Sequence, residues 1–166
     1  MQRAMTIFNR TDLLARLRRQ LVIDLYSHHG IAYWARVRAN GLMLANDTGA
    51  NLHVVELFAF FHDARRLSEH TDDGHGSRGA VLARRSKGRY FDATDDEVDL
   101  LQLACGRHSD GITRGDPTVM TCWDADRRVD ITPNAKYLCT TFAKQDETIR
   151  RADRRAQHWV TVHDRR

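Results

Sequence analysis

Apolar residues recur every three or four positions along most of the chain, and no stretch alternates with the two-residue period of a half-buried strand. The pattern predicts an all-α protein. Leu13, Leu14, Leu17, Leu21, Ile23 and Leu25 form the apolar face of a first helix over residues 11–27, with Thr11 as its N-cap. Tyr33, Trp34, Val37, Leu42 and Leu44 mark a second over 31–45, after which "NDTGAN" breaks the pattern. The third, over 52–66, contains the apolar run "LFAFF" and closes on His62, Asp63, Arg65 and Arg66.

The polar segment "SEHTDDGHGSRG" is expected as a loop leading into a short fourth helix over 75–86. Thr94 and Glu97 have the spacing of a capping box, in which each side chain satisfies a free amide of the other, so a fifth helix spans 95–107. Asp116 followed by Pro117 reads as an N-cap with proline at the first helical position, starting a sixth helix through "TVMTCWDADRR". A last, strongly charged helix is expected over 134–160. There Asp146 with Arg150, and Glu147 with Arg151, sit four apart, as in a solvated face.

Composition narrows this picture. The 166 residues fit one domain, 1–166, with 42% hydrophobic and 29% charged residues, two prolines and ten glycines. No apolar run approaches the roughly 20 residues of a bilayer span. The N-terminal hydrophobic residues are interleaved with arginines, unlike a secretory signal. A cytoplasmic protein without membrane association is therefore expected. Cys105, Cys122 and Cys139 are odd in number, with no CxxC, and are read as reduced thiols. The net charge of +4 comes largely from arginine pairs, among them Arg65-Arg66 and Arg84-Arg85. Without interleaved aromatics these pairs read as solvated faces, and nucleic acid is not an expected partner.

The candidate chemistry lies in histidines and carboxylates at helix ends: His28 and His29, His62 and Asp63, His75, His108, and Asp124 and Asp126. Imidazole and carboxylate together suit divalent transition metals and leave room for water. A carboxylate directly after five apolar residues is costly to bury unless a cation compensates it, which a metal ion, Arg65 or Arg66 could do. His53, His70, His158 and His163 are read as capping or solvated residues.

These residues resemble the HD-domain superfamily of metal-dependent phosphohydrolases over residues 28–130: a histidine on an early helix, the His62-Asp63 pair, "HGSRGA", "HS" and the "ADR" aspartate in that order. The resemblance implies a bundle of about five core helices, flanked here by N- and C-terminal helices, around a divalent ion: Mn, Fe, Co, Ni, Zn or Mg. His62 and Asp63 match its paired ligands. Asp126 matches the last, with Asp124 as the alternative about 200° away around the helix. Cys122 and Trp123, four and three positions before Asp126, put it nearer the apolar stripe. His75 and His108 match positions that hold a second metal or touch the substrate phosphate, and Arg65, Arg66 and Arg78 are phosphate contacts. The implied reaction is attack of a metal-activated water on a nucleotide or small phosphoester. Asp63 orients the water, while His75 or His108 steadies the phosphate or protonates the leaving oxygen.

Two positions depart from that pattern. Where the family reads "HWARV" this chain reads "YWARV", so Tyr33 stands in place of the first ligand, and His29, four residues earlier, is the residue that could take over. After Arg127 the chain continues with Arg128 and Val129 and soon reaches Pro133 instead of an apolar turn. The alternatives are an HD-fold phosphate-binding protein silenced by Tyr33, and a helical nucleic-acid-associated protein whose histidines are incidental.

Overall fold

The computed structural model describes residues 8–127. The charged helix expected over 134–160 lies outside them, with Cys139, His158, His163 and the segment after Arg127. The described residues are all-helical: α1 (Arg10–Gln20), α2 (Ile31–Thr48), α3 (Leu52–Phe61), α4 (His75–Ser86), α5 (Asp95–Arg107) and α6 (Pro117–Arg127). Isolated bridges from Phe91 to Phe8 and Lys87 are the β pairing among them. None of these helices is long and apolar enough to cross a membrane.

Local chemistry sets the boundaries, and in three places it overrides the periodicity. α1 starts one residue before Thr11, because Asn9 is the N-cap and its side chain accepts from the Asp12 amide. The helix ends at Gln20 instead of 27. The Asp24 carboxylate accepts from the Tyr26 amide, and Ser27 Oγ donates to the Asp24 carbonyl, so a turn takes the place of another helical turn. α2 runs past 45 to Thr48, where Gly49 adopts the left-handed conformation and its amide reaches the Ala45 carbonyl. α3 stops at Phe61, not 66: tighter bonds from the Ala64 amide to Phe61 and from the Arg66 amide to Asp63 turn the chain. The expected capping box of Thr94 and Glu97 and the Asp116 cap are both formed.

The centre of the bundle is α3, with eight of its ten residues buried. It packs against α2, α4, α5 and α6, while α4 pairs with α5 and α2 with α6. Its length of apolar side chain, Leu57 to Phe61, is inserted among these helices, each large side chain contributing roughly 1.5–3 kcal/mol by burial. Gly79 lets α4 cross the end of α3. A Cβ there would lie 2.3 Å from the Phe61 carbonyl oxygen and 3.2 Å from that of His62. Because both obstacles are backbone, Gly79→Ala is expected to cost about 3 kcal/mol in urea unfolding. An unchanged midpoint would show that α4 can shift freely.

Glu56 is the buried acid of α3. It receives Arg10 Nε and Nη2, each at 2.8 Å, and Arg38 Nε at 2.8 Å and Nη2 at 2.5 Å, tying α1 and α2 to the central helix. Burial raises its pKa, but Arg10 and Arg38 together outweigh burial and hold it below the usual glutamate range. Its contribution to stability is thus full above the unfolded-state value and is lost as pH falls through the lower folded-state value. Arg10 is about half exposed, which weakens the pair through solvent screening. Wild type is expected to lose about 1 kcal/mol more than Glu56→Gln between neutral pH and pH 3, read from urea midpoints at each pH. Parallel pH curves would exclude that role.

Candidate metal centre

Asp63 lies in the turn just after α3, where the end of the apolar helix delivers it into the interior at 2% exposure. Four histidines from different parts of the chain surround it. His29 comes from the turn before α2, His62 from the C-cap of α3, His75 from the first position of α4, and His108 from the C-cap of α5. Asp126, near the end of α6, completes the group.

The two oxygens of Asp63 face different partners. Oδ1 is 3.2 Å from His75 Nε2 and 3.6 Å from His108 Nε2. Oδ2 is 3.0 Å from His29 Nδ1 and 3.7 Å from His62 Nε2. His62 Nε2 in turn lies 3.4 Å from Asp126 Oδ1. One carboxylate therefore serves two donor groups, His75 with His108 on one side and His29, His62 and Asp126 on the other.

Backbone carbonyls orient three of these rings. His62 Nδ1 donates to the Phe58 carbonyl at 3.1 Å, His108 Nδ1 to Cys105 at 2.7 Å, and His75 Nδ1 to Asp72. A carbonyl can only accept, so each Nδ1 carries a hydrogen, and in the neutral ring the lone pair is left on Nε2. All three Nε2 atoms point at the Asp63–Asp126 group. This is the arrangement in which histidine ligates a metal, the second nitrogen being anchored by an outer partner.

The donor set fits a cation by two further observations. His75 Nε2 and His108 Nε2 are 2.9 Å apart, so two lone pairs oppose each other unless a proton or a metal ion lies between them. His62 Nε2 is fully buried and makes no hydrogen bond among the described residues, with Asp126 Oδ1 beside it at 3.4 Å. The Asp63, His75 and His108 ligand atoms all lie within 4.8 Å of one another, and this buried cluster could hold a metal ion.

Electrostatics agrees with the geometry. Burial works against the Asp63 carboxylate, but His62 first, then His108, His29 and His75, outweigh it and hold the acid well below the usual range. Burial likewise opposes the His62 imidazolium, and the charges of Asp63 and Asp126 more than offset it, raising that pKa. For Asp126, burial is again outweighed, by His62, and its pKa falls. Burial, with the charge of Asp63 behind it, pushes the neighbouring Cys105 thiol far up, so it stays protonated.

The residues singled out in the sequence are thus distributed as follows. His29, His62, Asp63, His75, His108 and Asp126 are brought together. The acid carried to His62 is Asp126; Asp124 is also buried, two residues earlier on α6. Arg66 is in the cluster as a brace: its Nε donates to Asp63 Oδ1 at 3.0 Å and its Nη1 to the Ser68 and His70 carbonyls. Arg65 is not part of it and lines a separate pocket with Arg78. Tyr33 donates its hydroxyl to Asp126 Oδ1 at 2.8 Å, so the position expected to hold a ligand instead engages the candidate ligand Asp126.

Two supporting residues carry no signal in the sequence pattern. Glu69 accepts from Ser27 Oγ and from the His29 amide, fixing the turn that presents His29. Asp72 holds His75 through its carbonyl and Arg78 through its carboxylate. The partners of Glu69 lie about 40 residues earlier in the chain, where no local pattern reaches, while those of Asp72 are within six residues. No family model, curated protein or solved structure matches the chain.

Proposed function

We propose that the protein is a metal-dependent phosphohydrolase of the HD-domain kind, acting on a nucleotide or another small phosphoester in the cytoplasm. The observation that carries this reading is the convergence of three carbonyl-anchored imidazoles, through their Nε2 atoms, on one buried carboxylate. Asp63 Oδ1, His75 and His108 would hold a divalent ion, in keeping with their mutual distances. When bound, such an ion supplies Lewis acidity to a phosphoryl oxygen and to the attacking water.

The chain supplies the rest. Arg66 fixes the Asp63 carboxylate and neutralises part of its charge. Asp63 Oδ2 looks toward His29, which is the more exposed edge of the cluster and so the side from which substrate and water approach. His62 Nε2 lies beside Asp126 Oδ1 and is the nitrogen placed to hold a proton for the leaving oxygen. Tyr33 orients Asp126 for that task.

A manganese-loaded preparation is expected to release phosphate from a panel of nucleotides and small phosphoesters, to lose that activity with a chelator, and to lose at least about 100-fold in His108→Ala. Activity that is equal in His108→Ala and wild type would contradict the assignment. A second reading, a phosphate-binding protein with reduced catalysis, is favoured by the Tyr33 hydroxyl, which occupies the Asp126 oxygen that a further ligand would complement.

A further inference from the structure

A separate cavity opens beside α4, between it, α1 and the turn after α3. It has a volume of about 600 Å³ and is lined by Arg16 from α1, Arg65 from the turn after α3, Arg78 and Arg85 from α4, and Arg89 just beyond it, with Tyr90 at its wall. Among the described residues no carboxylate lines it, and none of the histidines or aspartates of the metal centre does.

The charges around this cavity differ from those elsewhere on the same helix. Arg84, one residue before Arg85 but facing α5, donates to Asp99 at 2.5 Å and to Gln102. Lys87 donates to Asp95 at 2.6 Å. Inside the cavity only Arg78 has a carboxylate partner, Asp72, while Arg16, Arg65 and Arg85 have no side-chain ion pair among the described residues. Arg78 is held in place at both ends of its guanidinium, by Asp72 and by the Arg65 carbonyl, which Nε reaches at 3.1 Å. Arg89 lies with its guanidinium 5.3 Å from the Tyr90 ring.

Five guanidinium groups around one concave space repel one another, and a bound polyanion would reverse that. Guanidinium is also the group whose planar fork matches phosphate oxygens in pairs. The volume falls in the range of small-molecule sites, roughly 300–1,000 Å³, and is bounded where a nucleic-acid track would run on across the surface. Val81, Leu82 and Tyr90 give part of the wall an apolar character suited to the organic portion of a ligand.

We propose that this pocket binds a small molecule carrying two or more phosphate groups, at a site separate from the metal centre and independent of its chemistry. Calorimetric titration of the full chain with inorganic tripolyphosphate, orthophosphate and a single-stranded oligonucleotide tests it, with chelator present throughout so that the metal centre contributes nothing. Tripolyphosphate is expected to bind at least about 10-fold more tightly than orthophosphate, and Arg16→Ala/Arg85→Ala to weaken it by about 10-fold or more. These two arginines are exposed and make no hydrogen bond or ion pair among the described residues, so the double variant is expected to unfold at the wild-type midpoint. Tripolyphosphate binding that is unchanged in the double variant, or no tighter than orthophosphate, would overturn the proposal. So would an oligonucleotide that binds more tightly than tripolyphosphate and whose affinity grows with its length.

Discussion

Asp63→Ala is expected to abolish metal uptake and to bring phosphohydrolysis down to background, the largest effect of any single substitution in the molecule. The reason is that Asp63 belongs to both donor groups: Oδ1 faces His75 and His108, and Oδ2 faces His29 and His62. If Asp63 holds the ion directly, as proposed, its removal is expected to do more than the roughly 10–100-fold loss typical of removing an outer partner. The substitution also deprives Arg66 of its acceptor at 3.0 Å. Without the Asp63 charge the buried His62 can give up its extra proton, so the stability cost is expected at about 2 kcal/mol and not the ~3–5 kcal/mol of a broken buried ion pair. Metal content, initial rate and urea midpoint of one preparation check all three. Retained metal with a normal midpoint would mean that Asp63 is a bystander.

Tyr33→His carries the second large expectation, and with the opposite sign. The tyrosine hydroxyl donates to Asp126 Oδ1 at 2.8 Å and so satisfies the oxygen nearest His62 Nε2. An imidazole at that position places a lone pair where the phenol now places a proton, joining His62, Asp126 and Asp63 Oδ2. The bound metal is expected to rise from about one ion per chain toward two, with activity increased about 10-fold or more. Tyr33→Phe separates the two effects of the change: it removes the hydroxyl without adding a ligand, and is expected to raise neither. If Tyr33→His leaves both quantities where they were, the His62 side of Asp63 is not a second ion position.

How much of this was legible in the sequence depended on the range of the interaction. α5 and α6 begin where their caps are written, since Thr94 with Glu97 and Asp116 with Pro117 are contacts within one turn of chain. The end of α1 was not, because the Asp24 side chain competes for the backbone two residues on, and the apolar spacing of Ile23 and Leu25 continues regardless. The end of α3 at Phe61 escaped for a similar reason: Ala64, Arg65 and Arg66 have good helix propensity, and the turn is held by Arg66 reaching the Ser68 and His70 carbonyls.

In the candidate metal centre the residue types were legible and their arrangement less so. His62, Asp63, His75, His108 and Asp126 stand out as polar groups at the ends of apolar helices, and the helices do bring them together. Which oxygen of Asp63 faces which ring depends on how α2, α3, α4 and α5 pack, which no local pattern encodes. Arg66 reads in the sequence both as a phosphate contact and as a cation that could offset the carboxylate, and it folds back three residues to Asp63. The arginine pocket was invisible for the same reason, since Arg16, Arg65 and Arg85 become neighbours only when α1, the turn after α3 and α4 come together in the fold.

The most direct measurement is elemental analysis of the purified full chain beside His75→Ala and His108→Ala. Wild type is expected to carry about one divalent transition-metal ion per chain, and each variant to lose it, because His75 Nε2 and His108 Nε2 face each other at 2.9 Å beside Asp63 Oδ1. A metal-free wild type after loading with manganese, iron or zinc, or an ion that survives both substitutions, would contradict the site.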